Sequence, residues 1–273
     1  MEYVFYYAKV MLYPLAAIFL CGLSVWACSL LFIKLLGNGY KLTLWSAVIG
    51  TPIHELGHAG MCLLFGHRIT KMVLWQPHSA DGTLGYVKHS YNPKNLYQRF
   101  GNLFIGIGPI FSGLIVLCLA LFVAFPETWE FYTEKLMAIS KNPLSIDATI
   151  KFGQEIIEGI FTEFDKNLWT LFGQLLALIL MASVSLHISL SPADIKNSLV
   201  AMPLYLAITF LSGTIALILG KKAMTTLTGI LMSYNVFMIT LFTIIFAFAA
   251  LLIIIASTVK FIKYVTAIIK KGR

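Results

Sequence analysis

The sequence predicts an all-α polytopic membrane protein of about six transmembrane helices, with a small β-hairpin after the second. Three observations carry this. Of 273 residues, 59% are apolar and 12% charged, with a mean hydropathy of +0.84, whereas a soluble domain needs about 25% charged residues to cover its surface. Uncharged runs recur that are long enough, at about 1.5 Å per helical residue, to cross about 30 Å of hydrocarbon. Between the second and third of these runs the pattern changes to short β-rich stretches.

Residues 10–33 form the first expected span. Residues 1–9 lack a basic segment with a small-residue cleavage site, so this span is expected to be a retained anchor. Gly37-Asn38-Gly39 suits a tight return. The second span, residues 42–66, holds Glu55 as its one formal charge. Pro52 interrupts it and frees a carbonyl, which predicts a kink or a fresh start with Thr51 as N-cap. Gly57, Ala59 and Gly60 lower the bulk of the following turn, where another helix or a ligand can approach.

Residues 69–75 and 83–88 are strand-like, with Ala80-Asp81-Gly82 as the turn between them. Such a hairpin serves as a connector or as an edge for an extended peptide. His67, His78 and His89 have no metal-ligand spacing and read as surface histidines. The third span, residues 100–125, contains Gly106, Gly108, Pro109 and Gly113. Residues 126–166 form a long polar connection with eight of the twelve acidic residues. Within it Ile146, Ile150, Ile157, Ile160, Phe161 and Phe164 recur at helical spacing, which predicts an amphipathic helix on the bilayer.

The fourth span, residues 167–190, leads into Ser191-Pro192-Ala193-Asp194, and the fifth covers residues 199–220. Residues 223–259 are 37 uncharged positions, too many for one helix and too few for two. A sixth span is expected at 236–259, with 223–234 interfacial or re-entrant. Cys21, Cys28, Cys62 and Cys118 lie in apolar spans without C-x-x-C pairing and read as packing residues.

The net charge of +8 reports orientation here and does not point to nucleic acid. With six spans both termini share a side, which collects twelve of the twenty basic residues. The positive-inside rule makes that side cytoplasmic, as in an integral multi-pass protein of the cell membrane. The bilayer is then a partner of the whole chain. Oligomeric state is not legible.

His54-Glu55-Leu56-Gly57-His58 reads H-E-x-x-H. On a helix His54 and His58 lie one turn apart on one face, so both imidazoles reach one metal ion, and Glu55 can address water there without being a ligand. From this chain's His and Glu frequencies such a pattern arises by accident in roughly 4 of 1,000 sequences. Membrane burial sharpens the signal, because an acidic side chain at mid-bilayer costs about 2.5–3.5 kcal/mol on insertion scales. Two imidazoles, a carboxylate and an open position are what zinc-assisted peptide hydrolysis requires. Zinc hydrolases usually take three protein ligands, and two residues compete for the third place. Asp194 follows the break at Ser191-Pro192, where it also fits a helix-start signature. His187 lies seven residues earlier in apolar sequence, and imidazole is a good zinc ligand.

At these residues the chain resembles the site-2 protease family of intramembrane zinc metalloproteases. His54 to Ala59 is similar to that family's zinc motif in a membrane helix. Phe65-Gly66-His67-Arg68-Ile69, running into strands and Gly85-Tyr86, resembles its sheet after the motif. Gly108-Pro109 with Ser112 is similar to its G-P-x-x-N element, with serine in place of asparagine. The resemblance implies an aspartate on a later membrane helix as third ligand, and Asp194 after Pro192 is the nearest match, with Ile195 where glycine is usual. It covers roughly residues 42–200, which it implies to be a catalytic membrane core. It leaves two flanking parts that it does not account for: an N-terminal transmembrane helix (1–41) and C-terminal transmembrane helices with a basic tail (201–273). Its further implications are zinc on His54, His58 and Asp194, Glu55 as the catalytic residue, and a membrane-protein substrate cut in or near a transmembrane segment. Rival readings are a metal-binding transporter or chaperone without catalysis, and a zinc hydrolase of lipids or small molecules.

Overall fold

The computed structural model describes residues 1–36, 40–77, 79, 82–139 and 146–271. Gly37-Asn38-Gly39, His78, Ala80 and Asp81 lie outside the described residues, while Gly82 takes a φ of +76°, as the expected turn requires. The described chain is mostly helical. In order it forms α1 (Glu2–Leu36), α2 (Tyr40–Leu64), β1 (Arg68–Val73), β2 (Tyr86–Ser90), α3 (Leu96–Ala124) and α4 (Pro126–Ile139). It continues with α5 (Ile146–Thr162), α6 (Leu168–His187), α7 (Pro192–Leu199), α8 (Met202–Ile218), α9 (Lys221–Leu241) and α10 (Thr243–Lys271).

Four stretches among the described residues are long and apolar enough to cross a membrane: α1, α3, α6 and the combined α9–α10. A fifth is added if α7 and α8, bent by 55° at their junction, count as one. The expected span outside this group is α2, whose apolar run is diluted by His54, Glu55 and His58. It nevertheless packs between α3 and α6, so protein surrounds its polar residues. These features are compatible with a multi-pass membrane protein.

The expected hairpin is an antiparallel pair with Met72 opposite Val87 and Val73 opposite Tyr86, and an irregularity between Ile69 and Lys71. Its strands are displaced by a few residues from the expected 69–75 and 83–88. Beyond β1 the chain stays closed by Gln76, whose backbone N–H donates to the Leu84 carbonyl at 2.7 Å and whose side-chain amide donates to the Thr83 carbonyl at 2.9 Å.

The polar connection forms two helices, not one. Glu163 caps the start of α4, accepting from the backbone N–H groups of Glu127 and Thr128 at 2.9 Å each, where a carboxylate suits the positive helix end. On α5 the buried face is Phe152, Ile156 and Ile160, packed on α4 and α10. Ile150 and Phe161 point outward. The apolar face thus covers neighbouring helices, and the expected stripe is only half correct. In place of the expected break near residue 235, α9 continues to Leu241 and α10 follows almost at once.

Candidate metal centre

Four elements bring the site together, and small residues set their spacing. A Cβ on Gly57 of α2 would lie 2.6 Å from the Gly108 carbonyl oxygen of α3, and one on Gly108 would lie 2.6 Å from the Gly57 oxygen. The two backbones therefore touch, and no other residue fits either position unmoved. Ser112 closes the same contact by donating to the Ile53 carbonyl at 2.8 Å. Gly106 admits α7 to the other face of α3, against Ser198 and the Asp194 carbonyl.

Within this frame His54, His58 and Asp194 converge, with one ligand atom from each lying within 4.8 Å of the others. The His54 and His58 Nε2 atoms are 3.2 Å apart. His58 Nε2 is 3.0 Å from Asp194 Oδ1, and His54 Nε2 is 3.6 Å from Oδ2. Ligands about 2.0–2.1 Å from a tetrahedral ion are separated by about 3.3 Å, so these edges suit one ion of that size.

The hydrogen bonds behind the rings fix which atoms point inward. His58 Nδ1 lies 2.6 Å from the Ile105 carbonyl oxygen, and His54 Nδ1 lies 2.8 Å from the His187 carbonyl oxygen. A carbonyl only accepts, so both Nδ1 atoms carry the proton, and in neutral rings both Nε2 atoms present lone pairs to the shared space. Two lone pairs facing at 3.2 Å repel unless a cation lies between them. Asp194 is oriented in the same way, since Ser191 donates its backbone N–H to Oδ2 at 2.7 Å while Ser191 Oγ accepts from the Asp194 N–H at 3.2 Å. The helix-start signature and the approach to the histidines are thus compatible roles of one side chain.

The three residues can hold a metal ion. His187, the other candidate, stands behind His54: its carbonyl orients that ring, and its own Nδ1 donates to the Ser183 carbonyl at 2.9 Å. Glu55 is buried and lines the same cleft as the three ligands. Its carboxylate has no hydrogen-bond partner among the described residues. Gly85 lets the strand connection approach, since a Cβ there would lie 2.9 Å from Glu55 Cγ. The cleft has a volume of about 1410 Å³ and opens between the hairpin, α6 and α7.

Two of the expected surface histidines have a different place. His67 is buried and His89 half-buried, because the hairpin folds back over the end of α2. Their Nδ1 atoms lie 2.9 Å apart, His67 Nε2 donates to the Gln98 carbonyl at 2.7 Å, and the Asn197 amide lies 3.3 Å from His89 Nε2. With both rings neutral every proton in this chain is used once: Asn197 donates to His89, His89 to His67, and His67 to Gln98. Burial and the neighbouring imidazoles push His89 down to about 4. Sequence spacing conceals this chain because cross-strand register creates it. Comparison with family profiles, curated proteins and solved structures found no match to this chain.

Proposed function

We propose that this chain is a membrane-embedded zinc metallopeptidase that hydrolyses peptide bonds in or near transmembrane segments of other membrane proteins. The observation that carries the reading is the convergence of His54, His58 and Asp194, with both Nε2 lone pairs turned inward and Glu55 in the same cleft without a hydrogen-bond partner among the described residues. Two imidazole nitrogens and a carboxylate oxygen form a donor set that suits zinc. A zinc ion bound there supplies Lewis acidity toward a peptide carbonyl and toward water.

The remaining steps belong to the chain's own residues. The Ile105 and His187 carbonyls keep the histidines in the ligand tautomer. The Glu55 carboxylate takes a proton from the attacking water and delivers it to the departing amide nitrogen. A helical peptide bond is already hydrogen-bonded and sterically covered, so the substrate has to unwind before it fits beside Glu55. An unpartnered acid next to the ligands favours catalysis over metal storage or transport, where Glu55 would have no task.

The test pairs metal content with turnover. Purified wild type is expected to carry one zinc per chain and to cleave a membrane-protein substrate. Glu55→Gln keeps the zinc and loses cleavage by at least about 100-fold, and His54→Ala loses both. A Glu55→Gln protein as active as wild type would refute the peptidase reading.

A further inference from the structure

The cleft has acids at its floor and cations at its mouth. Lys88 on β2 and Lys196 on α7 line it from two different elements, and both are exposed. Lys71 sits directly across the ladder from Lys88, and both ammonium groups lie over the Tyr86 ring, at 5.5 Å and 5.3 Å from its centre. Like charges opposed in a strand pair are destabilising. Among the described residues no carboxylate lies within ion-pair reach of Lys71, Lys88 or Lys196, and the one lysine so paired is Lys135.

The chain does not lack acids; it places them elsewhere. Residues 68–99 hold Arg68, Lys71, Lys88, Lys94 and Arg99 against Asp81 alone, while residues 126–166 hold eight acidic residues. Among the described residues the acids lining the cleft are Glu55 and Asp194, and Asp194 is engaged by His58 and Ser191. Lys71 and Lys88 thus repel each other across the ladder, and Lys196 adds a further cation on the facing wall of the cleft. Among the described residues the Tyr86 ring is the partner of Lys71 and Lys88 in place of a carboxylate.

We propose that this rim selects polypeptides that carry acidic residues beside their membrane-spanning segment. The proposal rests on the peptidase reading and adds the substrate's charge to it. An extended chain passing between β2 and α7 brings its side chains to Lys88 on one side and Lys196 on the other. Carboxylates there relieve the repulsion, and basic residues add to it. Anionic lipid headgroups share the charge, but Lys88 and Lys196 line the same cleft as Glu55 and Asp194, which favours a polypeptide entering it.

Binding, not turnover, tests this. Full-length Glu55→Gln protein in phosphatidylcholine nanodiscs is titrated against three fluorescein-labelled peptides. Each has the same apolar segment, followed by two glutamates, two glutamines or two lysines, and anisotropy gives the affinities. The glutamate peptide is expected to bind about fivefold more tightly than the glutamine peptide, with the difference shrinking in high salt. The double variant Lys88→Glu/Lys196→Glu is expected to prefer the lysine peptide, a gain that a misfolded protein cannot show. Equal binding of the glutamate and glutamine peptides overturns the proposal. So does loss of the difference when phosphatidylglycerol is added to the nanodiscs, which assigns the rim to headgroups. Cleavage by wild type is scored separately. Discrimination without cleavage fells the peptidase reading and leaves the charged rim; cleavage without discrimination does the reverse.

Discussion

His58 shows how much one residue's surroundings decide. Its Nδ1 is committed to the Ile105 carbonyl at 2.6 Å, and its Nε2 faces His54 and Asp194 at 3.2 Å and 3.0 Å. Asp194 is divided likewise between a backbone N–H and the site. Outer partners of this kind set ligand orientation, and their loss typically lowers metal affinity about 10–100-fold. Ser191→Ala removes the hydroxyl that accepts the Asp194 N–H and loosens the carboxylate's helix turn. Zinc affinity measured by chelator competition is expected to fall about tenfold, while His187→Ala, which keeps the carbonyl behind His54, leaves it nearly unchanged. A larger loss in His187→Ala than in Ser191→Ala would mean that the third ligand is misplaced.

The next scale is that of the hairpin and α7, which close the cleft and are joined by the Asn197–His89–His67–Gln98 chain. The chain is complete only with both rings neutral. His89 sits at about 4 in the fold, against about 6.5 for a free imidazole. A depressed folded value contributes stability that is present above about 6.5 and is lost as pH falls toward 4. Melting temperature is therefore expected to drop over that window, and His89→Gln, which has no titrating ring, should show a flatter profile there. An equal slope in both proteins would remove His89 from the pH response.

Much of this element scale was legible in the sequence. The i,i+4 histidines need one helix turn, the Ser191-Pro192-Asp194 signature describes a helix start, and the β-rich runs after Gly66 pair as expected. What escaped depends on tertiary register. The meeting of His67 with His89 follows from where the strands stop sliding, and the buried face of α5 is set by α4 and α10, not by α5's own period. That Asp194, and not the His187 ring, meets His54 and His58 depends on how α6 and α7 pack against α2 and α3, which local pattern does not encode.

At the scale of the whole molecule, α1 is the strut along which the C-terminal helices are laid. Tyr6 donates to the Gly213 carbonyl at 2.9 Å. Around Pro14, where a backbone donor is missing, Tyr205 donates to the Met11 carbonyl at 2.8 Å and the Ala17 N–H donates to Asn235 at 3.3 Å. α1 also packs on α10. The α8 contacts run back along α1, with Tyr205 beside Met11 and Gly213 beside Tyr6, and α9 returns from there to set Asn235 beside Ala17, with α10 following on from α9. This arrangement predicts termini on opposite faces of the membrane, unlike the shared side expected from six spans. Single cysteines at Glu2 and at Lys270, in a background without the four native thiols, are expected to react with a membrane-impermeant maleimide from opposite sides of sealed vesicles. Labelling of both from one side would restore the even count of crossings.

The contact between Gly57 and Gly108 limits how such a molecule can open. Two chains touching main-atom to main-atom have no cushion of side chains to compress, so that point acts as a fulcrum. Next to Gly57 sits His58, and one turn before Gly108 sits the Ile105 carbonyl that steadies it, so any swing of the two rods there would pull the three candidate ligands apart. The way in for a guest lies on the far wall, between the strand pair and the short helix that bears Asp194.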